Sequence, residues 1–202
     1  MQTVRMEPSA RFGERYEMAE KLGAGAFGVV HAGCERATGR RVAIKIINVD
    51  QMESHEEALA LKREIDVLAA NRHPHVVEFL EAFVTYKFGT KQPRKVQIVM
   101  ELCEGGELFD VLETHHDGQE DGRDFSEAEA KLVMRPLLDA IAFLHSHHCI
   151  HRDIKPENIL LTDSKDLGSV RVADFGVAAQ FNDHEDMLAR DVAGTLYFFA
   201  PE

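Results

Sequence analysis

The stretch LGAGAFGVV places glycines at 23, 25 and 28, and VVHAGCE, a run of strand-type residues, follows at once. That order constrains the fold more than any other feature. A dinucleotide-binding fingerprint shares the G-x-G-x-x-G spacing but opens directly into a helix. A glycine turn between two strands makes an antiparallel lid instead, with backbone N–H groups free to meet phosphate oxygens, or else a plain hairpin. YEMAEKLGAG, FGVVHAGCE and RRVAIKIINV read as three short strands divided by glycines or charged turns. HVVEFLEAFVTYKF and KVQIVMEL read as two more. Between the third and fourth, SHEEALALKREIDVLAA puts Ala58, Leu61, Ile65 and Leu68 on one helical stripe. The first hundred residues therefore predict a five-stranded antiparallel sheet with one main helix. Residues 1–15, being polar, are expected to be a flexible N-terminal segment.

The remainder predicts helix first and loops afterwards. CEGGELFDVLETHH is a link running into a short helix, and residues 117–129 carry six acids and one base, the pattern of a solvated loop. Ser126 and Glu129 form a capping box that opens a helix to about His147. Leu137, Leu138, Ile141 and Leu144 are expected to face inward, and Pro136 to kink or break the helix. Short strands are expected around ILL and VRVA. The fold class is α+β.

Thirty-five acidic residues against 23 basic ones give a net charge of -12, which argues against general nucleic-acid binding. The three cysteines, Cys34, Cys103 and Cys149, are few and widely spaced, and predict a reducing compartment. The N-terminal stretch lacks the apolar core of a signal peptide, and no apolar run is long enough to span a bilayer. The expectation is a cytoplasmic protein, with the nucleus as the alternative, and no membrane partner.

Lys45 in VAIK lies among apolar strand residues. Alternation alone makes it a solvent-facing lysine; a place under the glycine lid would let its ammonium meet phosphates. Glu64 stands beside the helical stripe, either as a surface acid or as the partner that orients Lys45. IHRDIKPENILL then packs a base, an acid, a lysine and an asparagine between apolar anchors, and VADFGVA sets Asp174 at the end of a strand. Asp153, Asn158 and Asp174 are oxygen-bearing side chains of the kind hard Mg2+ takes, with water and phosphate completing the shell. Asp153 can orient a hydroxyl and accept its proton, and Lys155 can neutralise charge on a moving phosphoryl group.

GAGAFGVV, VAIK, Glu64, HRDIKPEN, DFG and APE, in that order, resemble the catalytic domain of a eukaryotic-type protein kinase. The resemblance implies a bilobal fold over 16–202, with an N-lobe at 16–100, a hinge at 101–104 and a partial, mainly helical C-lobe at 105–202. It implies ATP and Mg2+ as cofactors and a protein or peptide as substrate. By the same resemblance Lys45, paired with Glu64, contacts the nucleotide phosphates, Asp153 is the catalytic base, and Asn158 and Asp174 hold magnesium. Leu22, Gly23, Gly25 and Gly28 cover the nucleotide. Val30, Ala43 and Leu160 sandwich adenine, Met100 resembles the gatekeeper, and Glu101 to Cys103 the hinge. Leu68, Phe79, His151 and Phe175 resemble the apolar spine. Lys155 and Thr195 match the serine/threonine form. MELCEGGELFD and HRDIKPENILL look most like the calcium/calmodulin-dependent kinase group. In basophilic relatives, acids at Glu107 and Glu157 receive substrate arginines, with ribose contact as the other reading of Glu107.

The family domain continues beyond APE, so the resemblance implies an incomplete domain in which Glu202 lacks its usual arginine and LYFFA is exposed. The other function class is therefore a catalytically weak or inactive nucleotide-binding or partner-binding module. A nucleotide-dependent oxidoreductase would need a helix after Gly28. Between DFG and Thr195 no serine, threonine or tyrosine occurs, and Asp191 is expected to pair with Arg152 where relatives use a phosphate.

Overall fold

The computed structural model describes residues 6–25, 28–52, 54–116, 125–180 and 194–199. They fall into two compact units, Met1–Ala70 with Glu78–Leu102, and Asn71–Val77 with Cys103–Glu202.

The first unit is built on a sheet of β1 (Glu7–Pro8), β2 (Tyr16–Gly25), β3 (Gly28–Glu35), β4 (Arg41–Asn48), β5 (Phe79–Tyr86) and β6 (Pro93–Glu101), in the order β1-β5-β6-β4-β3-β2. The five long strands are antiparallel, as the sequence predicts; β1 is an addition, parallel to β5. Directly opposed residues share a face. Val30, Lys45 and Ile98 are opposed in this way, as are Ala43 and Met100. Helix α2 (His55–Ala70) lies on the Lys45 side and buries Leu61, Ile65 and Leu68.

The opposite face carries Val42, Ile44, Phe83 and Val99, and here the structure corrects the sequence reading. Residues 6–15 are not a flexible tail. Helix α1 (Phe12–Arg15) packs Phe12 against Phe83 at 5.5 Å between ring centroids, with Tyr16 at 6.0 Å from the same ring. Arg15 forms an ion pair with Glu81 on β5. A sheet with apolar residues on both faces needs a second covering layer, and this short segment supplies it.

The second unit contains β7 (Gly106–Glu107), α3 (Leu108–His116), α4 (Glu127–Ser146), β8 (Cys149–Ile150), β9 (Ile159–Leu161), β10 (Val170–Val172) and β11 (Ala179–Gln180). Strands β10, β9 and β7 form one small sheet, β11 and β8 another. The capping box is present: the Ser126 hydroxyl accepts from the Glu129 N–H, and the Ser126 N–H donates to Glu129. Helix α4 continues past Pro136, so the proline does not break it, though it removes the donor to the Leu132 carbonyl four residues back. One further expectation fails. Leu138 does not face inward but is 55% exposed, because the buried stripe is Val133, Leu137, Ala140 and Leu144, with Ile141 half-buried. The segment 71–77 joins this unit through the Val77 N–H, which donates to the Val172 carbonyl, and through His73, stacked on Phe143.

Replacing Phe12 by alanine is expected to lower stability by about 3 kcal/mol in urea denaturation, the cost of emptying an aromatic core site. A loss below about 1 kcal/mol would show that the N-terminal layer is dispensable.

Candidate active site

In the first unit, Gly25 and Gly28 pair at the closed end of the β2–β3 hairpin. Gly28 has φ of 135°, and a Cβ there would lie 2.2 Å from the Ile46 carbonyl oxygen. Only glycine fits. Gly23 is opposite Val30, and Leu22 is half exposed.

Lys45 is not the solvent-facing member of an alternation. Its Nζ lies 2.6 Å from Glu64 Oε1, and the two side chains are only 11% and 7% exposed. Glu64 stands three residues after Leu61 and four before Leu68, on the buried stripe itself. Charges this dry must be paired, since an uncompensated one costs several kcal/mol, about 3–5. At the end of β6 the Glu101 N–H donates to the Glu78 carbonyl, Glu101 Oε1 accepts from the Glu78 N–H, and Glu78 pairs with Arg40 at 2.7 Å. Leu68 and Phe79 are buried in this unit.

In the second unit four predicted residues meet. The Thr195 hydroxyl donates to Asp153 Oδ1 at 2.7 Å and accepts from Lys155 Nζ at 2.8 Å. Lys155 Nζ also lies 3.1 Å from Asp153 Oδ2. Asn158 Nδ2 donates to both the backbone oxygen and Oδ2 of Asp153, each at 2.8 Å. Burial pushes the Asp153 carboxyl up, but the hydrogen bonds from Thr195, Lys155 and Asn158, with the Lys155 charge, outweigh it and hold it below the usual carboxylate range.

His151 fixes the loop from inside. The Asp153 N–H donates to its Nδ1, so Nε2 carries the proton and donates to the Ala173 carbonyl at 2.9 Å. Burial lowers its pKa, which keeps the ring neutral. Phe175 packs edge-on against it at 4.9 Å. Arg152 and Asp174 both adopt left-handed backbone, φ of 68° and 60°, uncommon for residues with a Cβ. Gly194, φ of 116°, brings its Cα so near the Arg152 carbonyl that a Cβ would sit 2.3 Å from that oxygen. Sequence reasoning missed Gly194, as it missed the Arg40–Glu78–Glu101 chain. The glycine one place before Thr195 was the available signal for the first; nothing local marks the second.

Leu160 lies on β9 opposite Glu107 on β7, and Cys103 precedes that strand. Glu107 titrates above an ordinary glutamate because of burial, then the charges of Asp110 and Glu157, with Lys155 opposing. One Glu157 oxygen, Oε2, is buried without a hydrogen-bond partner among the described residues. Leu196 and Tyr197 are 75% and 93% exposed. Asp191 and Glu202, with the roles expected of them, lie outside the described residues.

The donor set fits a hard cation. Both amide protons of Asn158 are committed to Asp153, which leaves its oxygen available, and Asp174 adds a carboxylate after β10.

The protein kinase domain model matches residues 16–202, and the chain belongs to that family. It is 40% identical to the putative CBL-interacting protein kinase 27 of Oryza sativa subsp. japonica, over 93% of this chain and 43% of that protein. It is 36% identical to calcium-dependent protein kinase 5 of Plasmodium berghei over 93% of this chain and 30% of the relative. With serine/threonine-protein kinase 33 of Bos taurus it shares 33% identity over 98% and 39%. The chain thus spans well under half the length of these three relatives. The family generally uses ATP and Mg2+.

Thr195→Val, which keeps the shape and removes the hydroxyl, is expected to raise the Asp153 pKa, read by carboxyl-carbon NMR titration. In the unaltered protein the lowered pKa adds stability above the unfolded value of about 3.9 and loses it as pH falls through the native value. The variant should therefore resist acid unfolding less well. An unmoved titration would remove Thr195 from the network.

Proposed function

We propose that this chain transfers the γ-phosphoryl group of ATP to serine or threonine hydroxyls of protein substrates. The carrying observation is the four-residue group Asp153, Lys155, Asn158 and Thr195, which holds one carboxylate ionised and fixed in direction by three donors. Bound Mg·ATP supplies the phosphoryl group and spreads its charge. Lys45, held by Glu64, offers an ammonium to nucleotide phosphates, while Asn158 and Asp174 offer oxygens to the metal. Asp153 orients the substrate hydroxyl. A carboxylate of low pKa is a weak base, so it accepts the proton late, once bond formation has made the hydroxyl acidic. Lys155 offsets the charge that develops beside it. In the first unit the sheet face that carries Val30 and Ala43 offers an apolar surface to adenine.

The substrate we propose carries arginine near the phosphorylated residue. Glu107 is raised by burial and by the nearby charges of Asp110 and Glu157, and Glu157 has an oxygen without a hydrogen-bond partner among the described residues. A guanidinium would satisfy both acids. Three cysteines outside any disulfide support a cytosolic or nuclear setting.

The test is transfer of labelled phosphate to an arginine-containing serine peptide. Asp153→Asn should slow it by about 10²–10⁴-fold, the usual worth of a positioned base. Lys45→Met should remove most turnover and weaken ATP binding. Transfer unchanged in both would overturn the proposal, and ATP binding with no transfer in the unaltered chain would favour a binding module. Separately, Glu107→Gln should raise KM for the arginine peptide several-fold while kcat changes little, and should leave a peptide without arginine unaffected. Equal KM changes for both peptides would assign Glu107 to the nucleotide instead.

A further inference from the structure

Thr90 lies in the turn that joins β5 to β6. Of all the serines and threonines in the chain, it alone has three cations and no acid within four residues on either side. The cations are Lys87, Lys91 and Arg94. Thr38 comes nearest, with Arg36, Arg40 and Arg41 about it, but Glu35 is there too and accepts from its hydroxyl at 2.6 Å.

The turn presents this hydroxyl and can release it. Every residue from Tyr86 to Arg94 is exposed, and Phe88 stands wholly in water. The strand register closes at Tyr86 and Pro93. Beyond that pair the Lys87 N–H donates to the Gln92 carbonyl at 2.9 Å. The Thr90 N–H and hydroxyl both donate to the Lys87 carbonyl, at 3.0 and 3.1 Å. The Gln92 N–H donates to the Thr90 hydroxyl oxygen at 3.1 Å. These bonds can exchange for water, and opening the turn into an extended segment forfeits no buried apolar surface.

We propose that Thr90 is a phosphorylation site and that a second copy of this chain is the enzyme that modifies it. This rests on the reading of the chain as a kinase whose Glu107 and Glu157 take a cation near the target hydroxyl. Lys87 and Lys91 supply that cation. In the transfer the Thr90 oxygen bonds to the γ-phosphorus of ATP as the bond to the ADP oxygen breaks, and the hydroxyl proton passes to Asp153 of the acting copy. The product suits its place. A phosphate carries about −1.5 to −2 charge at pH 7, and at Thr90 its neighbours in sequence are two ammonium groups and a guanidinium. At Ser164 it would meet Asp163 and Asp166 instead. From Tyr86 to Val96 the charged residues are Lys87, Lys91, Arg94 and Lys95, so the mark cancels about half of the hairpin's positive charge.

The experiment mixes the unaltered chain, as enzyme, with a tagged Lys45→Met chain, as acceptor, in labelled ATP and Mg2+. The arginine-containing serine peptide runs in a parallel reaction. Mass spectrometry should place the acceptor's phosphate on Thr90, at a rate proportional to the enzyme added. Thr90→Val in the acceptor should remove most of the label. Lys87→Ala with Lys91→Ala should slow labelling about tenfold or more, the loss of a hydrogen bond to a charged group. Lys87→Arg with Lys91→Arg should preserve it. These side chains are exposed, so thermal unfolding of the variants should match the parent. Label on the peptide with none on Thr90 would overturn this proposal and leave the catalytic reading standing; label on neither would overturn both. Label confined to the enzyme copy, carried mainly by Ser126, or indifferent to the loss of both lysines would also overturn it.

Discussion

The buried pair of Lys45 and Glu64 is the constraint on which the first unit turns. Neither charge can stay dry without the other, and neither element can move alone without parting them. The pair therefore fixes the helix against the sheet, and Leu61, Ile65 and Leu68 on the same helical stripe hold it from the apolar side. Across the sheet, Phe12 and Tyr16 seal the face that carries Ile44 and Phe83. The two layers have different work. One gives a lysine its direction; the other makes the strand that bears the lysine rigid enough to keep it.

In the second unit the fixing agents are polar and local. The neutral His151 ring ties the residue that follows Arg152 to the carbonyl that precedes Asp174, and does so with one defined tautomer. Left-handed backbone at Arg152 and Asp174 is unfavourable by itself and persists because these bonds and the buried Phe175 over-determine it. Strain, burial and a fixed proton position thus converge on the stretch that aims Asp153.

What the sequence revealed follows from the range of each interaction. The five antiparallel strands were legible because alternation and glycine turns act over a few residues. Asp153, Lys155, Asn158 and Thr195 were legible because their types and order leave few other uses. Glu64 was half legible, since its spacing from Leu61 and Leu68 puts it on the buried stripe although its charge suggests the surface. The covering role of Phe12 was not, because nothing near it records that Phe83, far along the chain, lacks a neighbour. Leu138 was misread by placing it inward beside Leu137, when the helix buries one stripe and Leu138 lies off it. The clamp of Arg40, Glu78 and Glu101 is another long-range arrangement without a local mark.

The Thr195 hydroxyl gives its proton to Asp153 and its oxygen to Lys155. Its one proton and one of its two lone pairs are spent inward. Esterified with phosphate, it would set two negative charges beside a carboxylate and draw Lys155 away from Asp153. A phosphate at this position would therefore part the very groups, Asp153 and Lys155, that the hydroxyl now holds together.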